Sequence, residues 1–152
     1  DALFHAAEPR CYQKGSPLVE RLFPDHRAVE RASFKRTGIF PIMHAVAIRA
    51  DVAAENPWLP KAVFDGFVEA KSAAYRQMAQ LGWATNMLPW FGQELEDTKA
   101  LMGPNFYSYG IDRNRRALET LFRYSYAQGL AKRELTVEDL FLPASLSFED
   151  TP

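Results

Sequence analysis

The hydrophobic pattern of residues 39–48 is the clearest strand signal in the chain. This stretch reads Ile-Phe-Pro-Ile-Met-His-Ala-Val-Ala-Ile, so apolar residues occupy both alternating faces. Such a pattern predicts a strand that is covered on both sides. Because Pro41 cannot donate a ladder hydrogen bond, we expect regular pairing to begin after it. Residues 2–6 are apolar apart from His5 and lead into Glu8-Pro9, which predicts a second, shorter strand.

Elsewhere, apolar positions recur every three or four residues, which predicts about five amphipathic helices. Asp25 and Gly38 should cap the first helix, Asn56-Pro57 should open the second, and Thr136 should begin a short last one. The predicted helices cover roughly residues 26–36, 57–82, 88–102, 111–128 and a short stretch after 136. The predicted inward positions of the three longest are Leu59, Val63, Phe67, Ala70, Ala74, Met78 and Leu81; then Leu88, Phe91, Leu95, Thr98 and Met102; then Leu118, Leu121, Phe122 and Ser125.

These elements predict a helix-rich α/β fold with one or two strands and about five helices. Because an isolated pair of strands is marginal in water, we expect the rest of the sheet to come from missing sequence or from a partner chain. The chain opens on Asp1-Ala2-Leu3-Phe4 without an initiator methionine. We therefore expect that a preceding segment is absent from this sequence.

Composition narrows the classes of function. A chain of 152 residues with 47% hydrophobic content can form a genuine core. Its 18 basic and 19 acidic residues nearly cancel, so we expect no nucleic-acid partner. No apolar run approaches the roughly 20 residues of a spanning helix, so we expect no membrane partner. The single cysteine, Cys11, excludes an internal disulfide, and the expected location is the cytoplasm.

A few polar residues in or beside apolar segments are the candidates for chemistry. Glycine-rich phosphate loops, metal-binding motifs and nucleophile elbows are missing from the sequence, so we expect no metal and no cofactor. His44, in the middle of the predicted strand, is the leading catalytic candidate because a neutral imidazole there could titrate near physiological pH. The alternative is a core histidine bonded to a backbone carbonyl. His5 ends its predicted strand, where open sheets place ligand groups, and Arg10 in the following loop could bind a carboxylate.

Three segments resemble a known family. They are residues 21–30 (RLFPDHRAVE), 36–44 (RTGIFPIMH) and 109–114 (YGIDRN). All three are similar to the C-terminal third to half of 4,5-dihydroxyphthalate decarboxylases, and the motifs NPW at 56–58 and MLPW at 87–90 follow the same order and spacing. The resemblance therefore covers nearly the whole chain.

The resemblance implies a fold related to type II periplasmic binding proteins, in which two α/β lobes close on a ligand. On that template, residues 1–38 would form the end of the second lobe and the hinge crossover. Residues 39–152 would form the C-terminal, helix-rich part of the first lobe. The predicted strands would then pair with strands of the missing sequence.

The resemblance also implies non-oxidative decarboxylation of an aromatic dicarboxylate such as 4,5-dihydroxyphthalate. His44 would be the proton donor or the partner of a phenolic oxygen, and Arg10 would bind a carboxylate. Tyr12 or Thr37 would orient the ring, and His5 is a further candidate for substrate binding. The expected partner is thus a small aromatic carboxylate, and either a homo-oligomer or association with the missing N-terminal part stays open.

One departure from the family weighs on the ligand-binding role of the first loop. Where the family is expected to read approximately Ala-Arg-x-Pro-Ser-Cys, this chain has Ala-Ala-Glu-Pro-Arg-Cys at positions 6–11. Ala7 stands in place of the arginine, and Arg10 in place of the serine. Arg10 could restore the charge or the substrate could differ, and a solute-binding protein without catalysis is the alternative function.

Overall fold

The computed structural model describes residues 2, 3, 5, 7–80 and 87–150. Its described part is helix-rich, as the sequence predicts. The chain divides into two compact units, Asp1–Gly38 and Ile39–Pro152. The assignment of these units to different lobes of a larger fold stays a prediction.

The first unit contains a one-turn helix, α1 (Arg10–Gln13), and a longer helix, α2 (His26–Thr37). The carboxylate of Asp25 accepts a hydrogen bond from the backbone N–H of Ala28 at 3.0 Å. At the other end, Gly38 adopts a left-handed φ of 65° and its N–H donates to the carbonyl of Phe34 at 2.7 Å. Both predicted caps of α2 are confirmed, whereas α1 lies in a stretch predicted as loop.

The second unit carries the remaining helices of the described chain. Its longest helix begins at Leu59, with Pro60 in the first turn, rather than at Pro57. The predicted stop at Gly82 lies outside the described residues. The helices are α3 (Ala50–Glu55), α4 (Leu59–Ala79), α5 (Phe91–Met102), α6 (Arg115–Ala127) and α7 (Val137–Leu140), with 3₁₀ turns at Asp112–Asn114 and Pro143–Ser147. We did not predict α3 or the 3₁₀ turn at Pro143–Ser147.

A small apolar cluster joins α6, α7 and the turn before α6. Its buried members are Ile111, Leu118, Phe122 and Val137. The predicted inward positions of Leu118 and Phe122 are confirmed, but Leu121 is 54% exposed and its predicted inward position is wrong. Three half-buried side chains pack against this cluster, namely Leu135, Phe141 and Leu146.

The predicted cap of α7 is confirmed. The backbone N–H of Asp139 donates to the Thr136 hydroxyl at 3.3 Å, and the backbone N–H of Thr136 donates to the Asp139 carboxylate at 2.8 Å. Hydrogen bonds from Arg133 and from Thr136 hold the pKa of Asp139 well below its usual range. This reciprocal capping box fixes the entry of Val137 into the apolar cluster.

The inward face of α4 differs from the prediction. Phe67 is 47% exposed, and Ala70 and Ala74 are also exposed. Lys71 is buried instead, and Tyr75 is half-buried. Apolar residues occur on several sides of this helix. Their spacing therefore fits more than one inward face, and the predicted face is rotated from the observed one.

The two predicted strands are not present in the described residues. Residues 39–49 form neither helix nor strand, and Met43 and Val46 in this stretch are 78% and 61% exposed. Residues 2, 3 and 5 are also outside any strand, whereas residues 4 and 6 lie outside the described part. A strand requires a partner for its ladder hydrogen bonds, and the described ranges offer none. Within the same ranges, no helix is both long and apolar enough to cross a membrane.

Candidate functional site

Tyr12 is held by the neighbouring loop of the first unit. Arg21 Nε donates to the Tyr12 hydroxyl at 2.8 Å, and its guanidinium carbon lies 5.3 Å from the centre of the Tyr12 ring. Arg21 Nη2 also donates to Glu8 Oε1 at 2.9 Å. The hydrogen bond to Tyr12 is the largest cause that raises the pKa of Arg21. Because the phenolic oxygen accepts from Arg21, its own O–H remains a donor for another group.

Arg10 and His5 also belong to the first unit, and both are exposed. Arg10 lies on α1 two residues before Tyr12. Side chains two residues apart on a helix do not face each other, so α1 does not bring these two candidates onto one side. His5 Nδ1 lies 3.1 Å from the backbone nitrogen of Ala7, which donates to it. The other ring nitrogen, Nε2, takes no part in this hydrogen bond.

Thr37 is placed at the last turn of α2. Its hydroxyl donates to the backbone carbonyl of Ser33 at 2.8 Å. A threonine hydroxyl has one hydrogen to donate and two lone pairs to accept with. Because its hydrogen is donated to Ser33, the Thr37 hydroxyl in this conformation acts toward any further group as an acceptor.

His44 lies in the second unit, within residues 39–49, and its side chain is exposed. The described residues therefore show no core packing of His44, and the alternative of a core histidine in the complete protein stays a prediction. General acid catalysis requires that the imidazole come within hydrogen-bond reach of the reacting group, and the exposure of His44 leaves its ring accessible to a ligand. The catalytic role of His44 stays a prediction, as do the binding roles of the four candidates in the first unit.

Lys71 forms a buried polar site that the sequence reading missed. Its Nζ donates to Asn105 Oδ1 at 2.7 Å and to the Tyr107 carbonyl at 3.0 Å, and it forms an ion pair with Asp150. The side chains of Lys71 and Asp150 are 7% and 0% exposed. All three ammonium hydrogens thus have acceptors, so Lys71 is committed to structure and is poorly suited to act as a nucleophile or base.

Asp150 gathers donors from several parts of the second unit. Besides Lys71, its Oδ2 accepts from Asn105 Nδ2 at 3.0 Å and from the backbone N–H of Tyr109 at 2.7 Å. Burial alone would raise the pKa of Asp150, but these hydrogen bonds outweigh it and hold the pKa below its ordinary value. The second oxygen, Oδ1, is buried and has no hydrogen-bond partner within the described ranges.

Aromatic rings surround the buried ammonium. Lys71 Nζ lies 4.6 Å from the centre of the Tyr109 ring and 5.7 Å from that of Tyr75. Tyr75 stacks on Phe106 at 4.7 Å between ring centres, and its hydroxyl accepts from the Tyr107 backbone N–H at 2.9 Å. Burial raises the pKa of Tyr75. One sequence signal could have revealed this site. Lys71 lies within the apolar stripe of a predicted helix, four residues from Phe67 and from Tyr75.

A shallow surface cavity on α6 is lined by two arginines and two glutamates, whose charges cancel, so it offers no net attraction for a carboxylate. The residues that line the cavity are Arg116, Glu119, Thr120, Arg123 and Glu134. No group of three or more His, Cys, Asp or Glu side chains that could hold a metal ion occurs in the described part of the chain.

Comparison with known proteins tests the resemblance to this family. No family model matches the chain. A 4,5-dihydroxyphthalate decarboxylase of Comamonas testosteroni is 32% identical over 146 residues, which is 96% of this chain. The resemblance to the 4,5-dihydroxyphthalate decarboxylase family is confirmed.

The match to 4,5-dihydroxyphthalate decarboxylase includes both units, because at most six of the 152 residues (152 − 146) fall outside it. It accounts for 44% of the decarboxylase. The chain therefore spans less than half the length of the relative that it matches, and the activity of a whole protein is a matter for proposal.

Proposed function

We propose that this chain is the C-terminal part of a protein that decarboxylates an aromatic dicarboxylate such as 4,5-dihydroxyphthalate without oxidation. The observation that carries the proposal is the 32% identity to a 4,5-dihydroxyphthalate decarboxylase over 96% of the chain. We further propose that the complete protein has the two-lobed fold of type II periplasmic binding proteins. Residues 39–48 would then become a strand by pairing with strands that this sequence lacks.

The proposed reaction replaces one carboxylate of the ring by a proton. The bond from the ring carbon to the carboxylate breaks, carbon dioxide leaves, and the electron pair stays on the ring carbon until a proton arrives. Charge that develops on the ring is stabilised by hydrogen bonds to the phenolic oxygens. The product is a dihydroxybenzoate, and the reaction needs no external oxidant or reductant.

Individual residues of this chain suit individual steps. His44 is exposed and would deliver the proton or contact a phenolic oxygen. Arg10, also exposed, would bind the carboxylate that the ring retains. Tyr12, whose hydroxyl accepts from Arg21, or Thr37 would orient the ring, and His5 would add a further polar contact.

The proposal is tested on the complete protein, with its N-terminal part restored from the full gene. We expect carbon dioxide and a dihydroxybenzoate in equal amounts from 4,5-dihydroxyphthalate. His44→Ala should lower kcat by about 10²–10⁴-fold, the usual contribution of general acid catalysis. Arg10→Ala should chiefly raise KM because it removes a contact to the bound substrate.

Matched variants provide the controls. His26→Ala removes another exposed histidine, at the start of α2, and should leave kcat unchanged. Arg113→Ala removes an exposed arginine of the second unit and should leave KM unchanged. Binding of the dicarboxylate without any turnover would contradict the proposed activity and favour solute capture instead. An unchanged kcat in His44→Ala would refute the role of His44.

A further inference from the structure

The end of the described chain folds back onto the second unit. We call residues 143–150 the C-terminal strap. It consists of the 3₁₀ turn Pro143–Ser147 followed by Phe148, Glu149 and Asp150. Such a short segment has few internal hydrogen bonds of its own, so its position depends on contacts to the rest of the unit.

Apolar contacts place the middle of the C-terminal strap. The Phe148 ring lies 5.3 Å from the Phe64 ring on α4, centre to centre. Leu146 packs against the apolar cluster around Phe122. At Gly110, a Cβ atom would lie 2.6 Å from the Phe148 carbonyl oxygen, and the φ of Gly110 is 87°. The chain can pass this close only because position 110 is glycine.

Asp150 fastens the end of the C-terminal strap. Its Oδ2 receives hydrogen bonds from Lys71 on α4 and from Asn105 and Tyr109 in the loop before α6. Lys71 in turn donates to the Tyr107 carbonyl in that loop. The ion pair therefore joins three parts of the unit that are far apart in sequence.

We propose that Lys71 and Asp150 form a conformational lock that fixes the C-terminal strap to α4 and to the loop of residues 105–110. Loss of either partner leaves the other as an unpaired charge in a desolvated place, which is far less favourable than losing an exposed pair. The lock opens by releasing residues 147–150 into water, where the freed charge is solvated. The cluster around Phe122 stays folded when this happens.

The lock also gives a structural role to the segment Tyr109-Gly110. The backbone N–H of Tyr109 holds the Asp150 carboxylate, the Tyr109 ring lies against the Lys71 ammonium, and Gly110 makes room for the Phe148 carbonyl. These two residues begin one of the segments by which the chain resembles its family. Their part in the lock is independent of any contact with a substrate.

Hydrogen exchange of the full-length protein, followed by mass spectrometry of peptides that cover residues 143–150, tests the lock. Lys71→Met keeps the length of the side chain but removes the ammonium, and Asp150→Asn keeps the size but removes the charge. Each should speed exchange at Phe148, whose N–H donates to Ser145, by on the order of a hundredfold or more. Exchange in α6 should change far less. Lys99→Met, which breaks an exposed pair with Glu96, should leave exchange of the strap unchanged.

The double variant separates a lock from two independent contacts. If Lys71 and Asp150 act together, Asp150→Asn should add little to the exchange rate when Lys71→Met is already present. If the two substitutions together speed exchange by the product of their separate effects, the proposal is overturned. It is also overturned if either single variant exchanges at the rate of Lys99→Met. If Lys71→Met fails to fold, Asp150→Asn decides alone: selective exposure of the strap supports the lock, and equal exposure of the strap and α6 overturns it.

Discussion

Replacing Phe122 by alanine should destabilise the second unit strongly. Phe122 is 6% exposed and packs with Ile111, Leu118 and Val137 in the apolar cluster. Truncation of a buried phenylalanine removes its burial energy and leaves a cavity, which together cost about 3–5 kcal/mol. Because domains are stable by only about 5–15 kcal/mol, this is a large share of the total.

Leu121 is the matched control because it precedes Phe122 on the same helix but is 54% exposed. Leu121→Ala loses far less burial and has no cavity to leave, so we expect a cost below about 1 kcal/mol. Urea unfolding of both variants, monitored by helical circular dichroism, gives the two differences in free energy directly. If Leu121→Ala lowers the free energy of unfolding as much as Phe122→Ala does, the placement of Phe122 on the buried face of α6 is wrong.

Three further changes probe the second unit. Thr136→Ala removes the capping box of α7 and should cost about 1 kcal/mol in urea unfolding; an unchanged midpoint would contradict the cap. Gly110→Ala should cost about 1–3 kcal/mol because it strains a positive φ and crowds the Phe148 carbonyl, and a stability equal to wild type would show that the C-terminal strap lies elsewhere. The pKa of Asp150 is depressed on folding, so its stabilisation is complete above the unfolded value of about 3.9 and is lost as pH falls through the lower folded pKa. Asp150→Asn should therefore flatten the acid side of the stability profile, and a curve parallel to wild type would refute this linkage.

Local signals predicted the two ends of α2 and the start of α7, although the predicted start of α4 at Pro57 was wrong. Asp25, Gly38 and Thr136 act through hydrogen bonds to partners within four residues. The neighbouring sequence is therefore enough to predict their effect. The face of α4 was harder to predict, because its apolar residues surround the helix and allow more than one stripe. The burial of Lys71 depends on Asp150, 79 residues away, and no local pattern contains that pairing.

The strand prediction failed for a different reason. Residues 39–48 have the composition of a buried strand, but a strand is defined by hydrogen bonds to another strand. The described residues supply no such partner, and Met43 and Val46 are left exposed. Of the candidate site, the sequence suggested residue types but not contacts: the hydrogen bond from Arg21 to Tyr12 joins a loop to α1 nine residues earlier. Loop geometry of that kind does not follow from spacing.

Decarboxylation of 4,5-dihydroxyphthalate in deuterium oxide is the sharpest test of the proposed activity. The complete protein, supplied with this substrate, should release carbon dioxide and form a dihydroxybenzoate with one deuterium on the carbon that lost the carboxylate. Mass spectrometry and proton NMR of the product measure that incorporation. A dicarboxylate that binds but is recovered intact, with no deuterium-labelled product, would contradict the proposed decarboxylation.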